Sequence, residues 1–227
     1  MLGEILLRLP FRVAFDADAL LRFTEARAVA GIEKFTEGIY RRTLRLPYGA
    51  GAVALSDGGG HVRCVLRLED PRDLGSAVQR CRRLLDADPV AVAETLGADS
   101  LLRPLVKRSP GQRVPGSVDG DELAIRAVLG QQVSVSAART LSGRLVARCG
   151  QPLPESLVES ERGLTHLFPE PGAVAEIGAA DLAMPAARRE ALCNLARGLA
   201  GGGIDLDPGS DREEAGRRLL ALRGVGP

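Results

Sequence analysis

Two adjacent glutamines lie in a short polar segment between two stretches with the pattern of helices. The segment reads Gly130-Gln131-Gln132-Val133-Ser134. A glutamine amide donates and accepts hydrogen bonds at the end of a long side chain. A pair of them at an exposed corner between helices therefore suits contact with another molecule. The alternative is that both amides only satisfy helix-end carbonyl groups and water.

The flanking helices are predicted from capping residues and periodicity. Asp119, followed three residues later by Glu122, is a capping-box signature for the start of the first helix, and Gly130 is the expected left-handed residue at its end. Ser134 is expected to cap the second helix. Apolar residues then recur at helical spacing, which predicts one face docked on a core: Val135, Ala138, Leu141, Leu145, Val146 and Cys149.

A second candidate site lies where a leucine-rich helix, predicted at 211–222, runs into Arg223-Gly224-Val225-Gly226. Ser210 or Asp211 is expected to cap this helix. Glycines here permit a tight turn whose amide groups point outward and bind a phosphate, as in the first half of a helix-hairpin-helix. The alternative is an ordinary glycine loop.

The histidines and cysteines offer weaker candidates. His166 is interpreted as a structural hydrogen-bonding residue, because no partner for a catalytic base is visible near it. The four cysteines, at 64, 81, 149 and 193, are widely spaced and form no Cys-x-x-Cys motif. They are therefore expected to be buried free thiols.

Length and charge bound the class of protein. The chain has 227 residues, of which 45% are hydrophobic and 26% charged, as in globular proteins. It contains no run of 18 apolar residues and no secretory signal pattern, so a cytoplasmic location is expected. The net charge of +1 does not indicate a strongly basic surface for binding nucleic acid. Any such contact must come from a few placed groups and backbone amides.

The order of predicted elements indicates an α+β fold with two domains. Strands near 4–9, 40–46, 51–55 and 61–68, with helices near 16–29 and 70–85, describe an antiparallel-sheet α+β domain at 1–111. A hairpin turn is expected at 56–60, a short helix at 88–96 and a turn-rich link at 108–117. Beyond the link no convincing strand appears. Helices near 119–129, 134–149, 171–177, 185–199 and 211–222 predict an all-α domain at 112–227.

Taken together, several segments resemble one family. They are Phe15-Asp16, Ala26 to Val29, Val114 to Asp119, Ala127 to Val135, Leu167 to Pro169, Met184-Pro185 and Leu222 to Gly226. In this order they resemble the DNA-3-methyladenine glycosylase II family of the helix-hairpin-helix glycosylase superfamily. The resemblance implies base-excision repair of duplex DNA, in which an alkylated base such as 3-methyladenine is flipped out and its N-glycosidic bond hydrolysed. It also implies that the chain stops inside the hairpin.

The resemblance gives both candidate sites a role in binding DNA. The residue after the first glutamine, here Gln132, enters the gap left by the flipped nucleotide. Family members can carry leucine there, whereas a glutamine can hydrogen-bond the orphaned base. The implied DNA-contacting set is Gln131, Gln132, Val133, Ser134, Arg223, Gly224, Val225 and Gly226. No obligate protein partner and no membrane contact are expected.

Phe23 matches a family position that lines the pocket for the flipped base. An aromatic face there stacks on a positively charged alkylpurine. By periodicity alone, Phe23 is instead expected to pack in the core with Leu20, Leu21 and Ala28.

The resemblance also sets limits on the chemistry. The family's catalytic aspartate follows the second hairpin helix, and no residue of this sequence matches it, so no catalytic residue is assigned. The chain is therefore a glycosylase by family that is expected to be inactive alone, and the alternative is a non-catalytic DNA-lesion-binding module or an inactive remnant. No catalytic cofactor is expected. A monovalent cation is implied at the hairpin, held by the carbonyl groups of Leu220, Leu222 and Val225.

Overall fold

The computed structural model describes residues 3–12, 14–86, 92–160, 163–178 and 182–225. Contacts divide the chain into two compact units. The first unit comprises Met1–Ala28, Glu33–Val118 and Pro154–Leu164, and the second comprises Val29–Ile32, Asp119–Leu153 and Thr165–Pro227. The chain thus passes between the units several times, whereas the sequence predicted a single division after residue 111.

The turn-rich segment before residue 119 belongs to the first unit because its backbone is anchored there. The Gly116 N–H donates to the Leu84 carbonyl at 3.0 Å, and the Arg83 guanidinium donates to the Val118 carbonyl at 2.9 Å. The backbone at Gly116 also lies close to the backbone at Arg83: a Cβ on Gly116 would lie 2.2 Å from the Arg83 carbonyl oxygen. The segment is therefore a packed edge of the first unit rather than a free link.

An antiparallel sheet is the frame of the first unit. Its strands are β1 (Ile5–Leu9), β2 (Glu33–Thr36), β3 (Ile39–Leu46), β4 (Gly49–Asp57) and β5 (Val62–Leu68), in the order β1-β5-β4-β3-β2. The four predicted strands and the turn between β4 and β5 are confirmed. Strand β2 was missed, because its sequence, Glu-Lys-Phe-Thr, is short and does not alternate.

Two helices pack on one face of this sheet. Helix α1 (Ala17–Glu25) is capped by Asp16, which accepts from the Ala19 N–H at 2.8 Å. Helix α2 (Leu74–Leu85) follows a 3₁₀ turn over Pro71–Asp73. The sequence extended α1 to Val29, but the helix ends at Glu25, because residues Val29–Ile32 belong to the second unit and both end residues are buried in its core.

Strand alternation and the two helices together bury one apolar cluster. Its largest fully buried members include Leu21, Tyr40, Leu44, Leu55, Leu66 and Leu85. Within the same layer Glu33 accepts from the Tyr40 hydroxyl at 2.6 Å and from Arg42 at 3.3 Å. Helices α3 (Val92–Ala98) and α4 (Arg103–Arg108) follow; α4 was not predicted, and the expected helix start at Asp88 lies outside the described residues.

The second unit is helical. Its first helices are α5 (Gly120–Gly130) and α6 (Val135–Cys149), and both confirm the predicted helices. Strands β6 (Gln151–Pro152) and β7 (His166–Leu167) form a small antiparallel pair, so the expectation of no strand in this half was wrong. Helix α7 (Glu155–Ser160) was not predicted; it lies between these strands in the sequence but belongs to the first unit.

The remaining helices close the second core. They are α8 (Pro171–Ala175), α9 (Ala186–Ala200) and α10 (Arg212–Leu220); α8 and α10 lie within predicted segments, and α9 extends one residue beyond its predicted end at 199. Helix α9 packs against α5 and α8.

All four cysteines are free thiols, and all but the half-buried Cys149 are buried. None of the helices in the described part of the chain is long and apolar enough to cross a membrane.

Candidate nucleic-acid interface

The corner between α5 and α6 turns at Gln132 and not at Gly130. Gly130 is the last helical residue, and the Gln131 N–H still donates to the Val128 carbonyl at 3.3 Å. Gln132 then adopts φ 54°, in the left-handed region. That conformation costs a residue with a side chain on the order of 1 kcal/mol. The surrounding structure must therefore impose it.

Buried faces on both helices hold the corner. On α5, Ile125 and Leu129 are fully buried, and on α6, Leu145 and Val146 are within 1% of complete burial. Ser134 caps α6 as predicted, accepting from the Ala137 N–H at 3.2 Å. The expected apolar face is thus confirmed for most of its length.

The first residue of that face departs from the prediction. Val135 is 47% exposed, whereas it was expected to pack on the core. It is the first helical residue after the corner and lies beside the exposed Ser134. Gln132 is exposed as well, while Gln131 and Val133 are half-buried. The corner therefore presents Gln132, Ser134 and Val135 to solvent on a rigid support.

The start of α5 carries an acidic cluster. Asp119 caps the helix by accepting from the Glu122 N–H at 3.0 Å, as predicted, and Glu122 binds Arg126 at 2.8 Å. Burial, followed by the charges of Asp119, Asp207 and Asp205, raises the pKa of Asp121 to about 6. This cluster could not be predicted from the sequence, because Asp205 and Asp207 are distant along the chain.

The hairpin segment makes the tight turn that its glycine predicted. Asp211 caps α10, accepting from the Glu213 and Glu214 N–H groups, which selects Asp211 over Ser210. Gly224 has φ 88°, and a Cβ there would lie 2.7 Å from the Cβ of Ala191. Only glycine fits this position. Gly226, part of the predicted phosphate-binding set, lies outside the described residues.

The backbone groups of this turn are partly used within the fold. The Val225 N–H donates to the Leu222 carbonyl at 3.1 Å, so this amide does not point outward as expected. Leu222 and Val225 are half-buried against the second core, whereas Leu220 is 56% exposed. A carbonyl oxygen has two lone pairs, so that of Leu222 retains one for the predicted cation. Arg223 is exposed.

Phe23 is not a core residue. It is 44% exposed on α1, and the Arg27 guanidinium carbon lies 3.5 Å from the centre of its ring. Arg27 also donates to the Phe23 carbonyl at 3.2 Å. The core-packing interpretation is wrong, because Ala17, Leu20, Leu21 and Thr24 form the buried side of α1. The four-residue spacing of an aromatic and an arginine was the signal for this stack.

His166 has a hydrogen-bonding partner that the sequence did not reveal. Its Nδ1 lies 2.8 Å from the Thr165 hydroxyl, and its backbone N–H donates to the Gly31 carbonyl at 3.1 Å. This confirms the structural interpretation of His166. The second contact joins residues 29–32 to the rest of the second unit.

Comparison with known proteins places these features in a family. Residues 6–119 match the profile of the AlkA N-terminal domain. The chain is 32% identical to DNA-3-methyladenine glycosylase 2 of Escherichia coli, covering 93% of this chain and 73% of that protein. It is 49% identical to the probable bifunctional transcriptional activator/DNA repair enzyme AlkA of Mycobacterium tuberculosis, and spans 45% of that protein's length.

Solved structures share the fold. A 3-methyladenine DNA-glycosylase from Archaeoglobus fulgidus superposes with a TM-score of 0.78 at 20% identity, over 98% of this chain and 75% of that one. An 8-oxoguanine glycosylase/lyase of Clostridium acetobutylicum in complex with double-stranded DNA gives 0.68 at 15% identity, over 98% and 75%. The mixed α+β architecture predicted from sequence is therefore confirmed.

Proposed function

The chain belongs to the AlkA family of DNA-3-methyladenine glycosylases, and we propose that it recognises alkylated bases in duplex DNA for removal by base-excision repair. The α5–α6 corner is the observation that carries this proposal. The side chain of Gln132 is exposed, and its left-handed backbone is held between two helices with buried faces. This side chain is therefore suited to entering a base stack without a conformational search.

In this proposal Gln132 fills the gap left by the flipped nucleotide. A glutamine side chain offers two donors and an acceptor to the unpaired base opposite, whereas an apolar wedge offers only contact. Pairing with the orphaned base offsets part of the cost of unstacking, which is a few kcal/mol. Ser134 has a different task, because its hydroxyl oxygen already caps α6.

Phe23 is proposed to line the pocket for the damaged base. Its exposed ring is suited to binding a cation, since an arginine already occupies one face. An alkylpurine such as 3-methyladenine carries a positive charge and would compete for the same kind of contact. Arg27 would then have to leave the ring, or cover the opposite face, when the base enters.

Hydrolysis itself is not assigned to any of these 227 residues. The family resemblance locates the catalytic aspartate after the second hairpin helix, and no position here matches it. We therefore assign lesion recognition and base extrusion to this chain, and water activation to that aspartate. The second candidate function is a non-catalytic module that binds the lesion through the same corner.

Equilibrium binding tests the recognition proposal. The chain should bind a duplex that contains an abasic-site mimic more tightly than the undamaged duplex. Gln132→Ala should remove most of that preference, about tenfold in Kd, because the gap is then unfilled. Ser136→Ala, at the exposed second residue of α6, is the matched control and should retain it. Equal affinity of the wild-type chain for both duplexes would refute lesion recognition.

An activity assay separates the two candidate functions. Alkylpurine release from methylated DNA should be absent for the 227-residue chain and present for a polypeptide extended through the family's second hairpin helix and aspartate. Release by the extended polypeptide that falls on Gln132→Ala supports the glycosylase. An extended polypeptide that binds abasic DNA but releases no base supports the non-catalytic module instead.

A further inference from the structure

The outer face of the five-stranded sheet, opposite α1 and α2, contains a hollow with cationic walls. We call it the arginine trough. It has a volume of about 220 Å³ and is lined by Glu4, Ile39, Arg41, Ala54, Ser56, Arg63, Val65 and Arg67. Three guanidinium groups and one carboxylate leave a net charge of +2 around it.

Strand register explains why the hollow forms. The central strand β4 carries short side chains on this face, while Arg41 of β3 and Val65 of β5 pair on either side of Ala54. Arg63 pairs with Ser56 in the same way. Neighbouring strands lie about 4.8 Å apart, so long side chains on β3 and β5 stand on both sides of a low floor.

The arginines are arranged to share an extended ligand. Arg63 and Arg67 lie four residues apart on β5, which corresponds to about 13 Å along the strand. Arg41 stands across the trough, level with Val65, midway between them. Arg67 is paired with Glu4 at 2.6 Å, which holds one wall in place.

Positive charge continues beyond the trough on the same face. Arg8 of β1 is exposed and pairs in register with Arg63, and Arg45 lies further along β3 on the side of Arg41. A small anion would need only the convergent arginines. A group of cations that extends sideways from an open hollow at Arg8 and beyond one of its ends at Arg45 instead complements a polymer with regularly spaced negative charges.

We propose that the arginine trough binds the phosphodiester backbone of a nucleic-acid strand, as a second contact that is separate from the α5–α6 corner. Guanidinium groups suit this ligand because they donate two parallel hydrogen bonds to phosphate oxygens. The Ser56 hydroxyl on the floor adds a neutral donor. The contact reads no sequence and no damage, so it raises affinity for all duplexes alike.

The test is the salt dependence of binding to an undamaged duplex and to the same duplex with an abasic-site mimic. Each lost phosphate contact lowers the slope of log K against log salt by about 0.9. Arg41→Ala/Arg63→Ala should therefore reduce the slope by about 2 and weaken both duplexes by the same factor, on the order of tenfold. Lys107→Ala/Arg108→Ala removes the same charge from exposed positions on α4, outside the trough, and should change the slope less.

A second variant guards against misfolding of the first. Ala54→Glu puts a carboxylate on the trough floor and keeps every arginine, and it should weaken both duplexes equally. Wild-type slope and affinity in both variants, with unchanged circular dichroism, would overturn the proposal. The proposal would also be overturned if these substitutions weakened the binding of inorganic tripolyphosphate but not the binding of duplex, since the ligand would then be a small anion.

The two proposals fail in different ways. Trough variants should keep the preference for the abasic duplex over the undamaged one, because that preference depends on the corner. Gln132→Ala should lose the preference but keep the salt slope. A trough variant that loses only the preference would contradict the proposed separation of the two contacts.

Discussion

At the scale of single residues, the left-handed conformation of Gln132 is the most informative feature of the candidate interface. Asparagine, aspartate and glycine adopt this conformation more readily than glutamine does. The nearby Gly130 was the natural choice for it, yet Gly130 remains helical. The left-handed position is set by where the buried faces of α5 and α6 end, and a local propensity rule does not contain that information.

Replacing this residue should separate stability from recognition. Gln132→Gly should raise the melting temperature slightly or leave it unchanged, because glycine adopts φ 54° without the cost of about 1 kcal/mol. The same variant should lose the preference for abasic DNA. Thermal unfolding followed by circular dichroism measures the first effect. A melting temperature several degrees below that of the wild type would show that the glutamine side chain supports the corner.

At the scale of elements, capping signals predicted α5 and α6 well. Asp119 and Ser134 both accept hydrogen bonds from their predicted helices, and the buried stripe on α6 follows the expected period from Leu141 onward. Strand β2 and helix α7 were missed, because each is short and owes its conformation to neighbours in space. Periodicity alone wrongly placed Phe23 in the core. A residue at the edge of an apolar helix face can lie either in the core or in solvent, and periodicity does not distinguish the two.

The acidic cluster at the start of α5 should make stability depend on pH. Asp121 has a pKa of about 6 in the folded chain, above its ordinary value of 3.8. The folded chain therefore holds a proton that the unfolded chain releases, and stability falls as pH rises from about 4 to 6. At pH 7 the charged carboxylate destabilises α5 by less than about 2 kcal/mol once solvent screening is included.

Asp121→Asn should remove this dependence. The variant should unfold at a higher denaturant concentration than the wild type at pH 7, and the difference should vanish near pH 4. Glu94→Gln, an exposed position on α3, controls for the change in net charge. An equal difference at both pH values would mean that the side chain is not desolvated as described.

At the scale of the whole molecule, the two units exchange short segments of chain. Residues 29–32 complete the core of the second unit, and residues 154–164 return to the first. The sequence predicted two domains with one boundary, because turn-rich composition marks loops and does not reveal which unit a loop packs against. The small net charge likewise conceals the arginine trough, since a charge sum contains no information about strand register.

The family and the architecture were accessible from sequence because they depend on ordered motifs and on periodicity. The Gly-Gln-Gln-Val-Ser-Val block, followed later by the Gly-Val-Gly turn, carried the resemblance. The details of both sites were not accessible. That the Val225 amide binds the Leu222 carbonyl, and that Arg27 covers the Phe23 ring, depends on distances that only the fold defines.

Insertion of Gln132 into the DNA stack is the central claim, and fluorescence of 2-aminopurine tests it most directly. The probe is placed next to an abasic-site mimic in a duplex, where its emission is quenched by stacking. Saturating wild-type chain should increase the emission, because the inserted side chain separates the probe from its neighbours, and saturating Gln132→Gly should leave it near the value of free DNA. An equal increase with both chains would contradict insertion of Gln132.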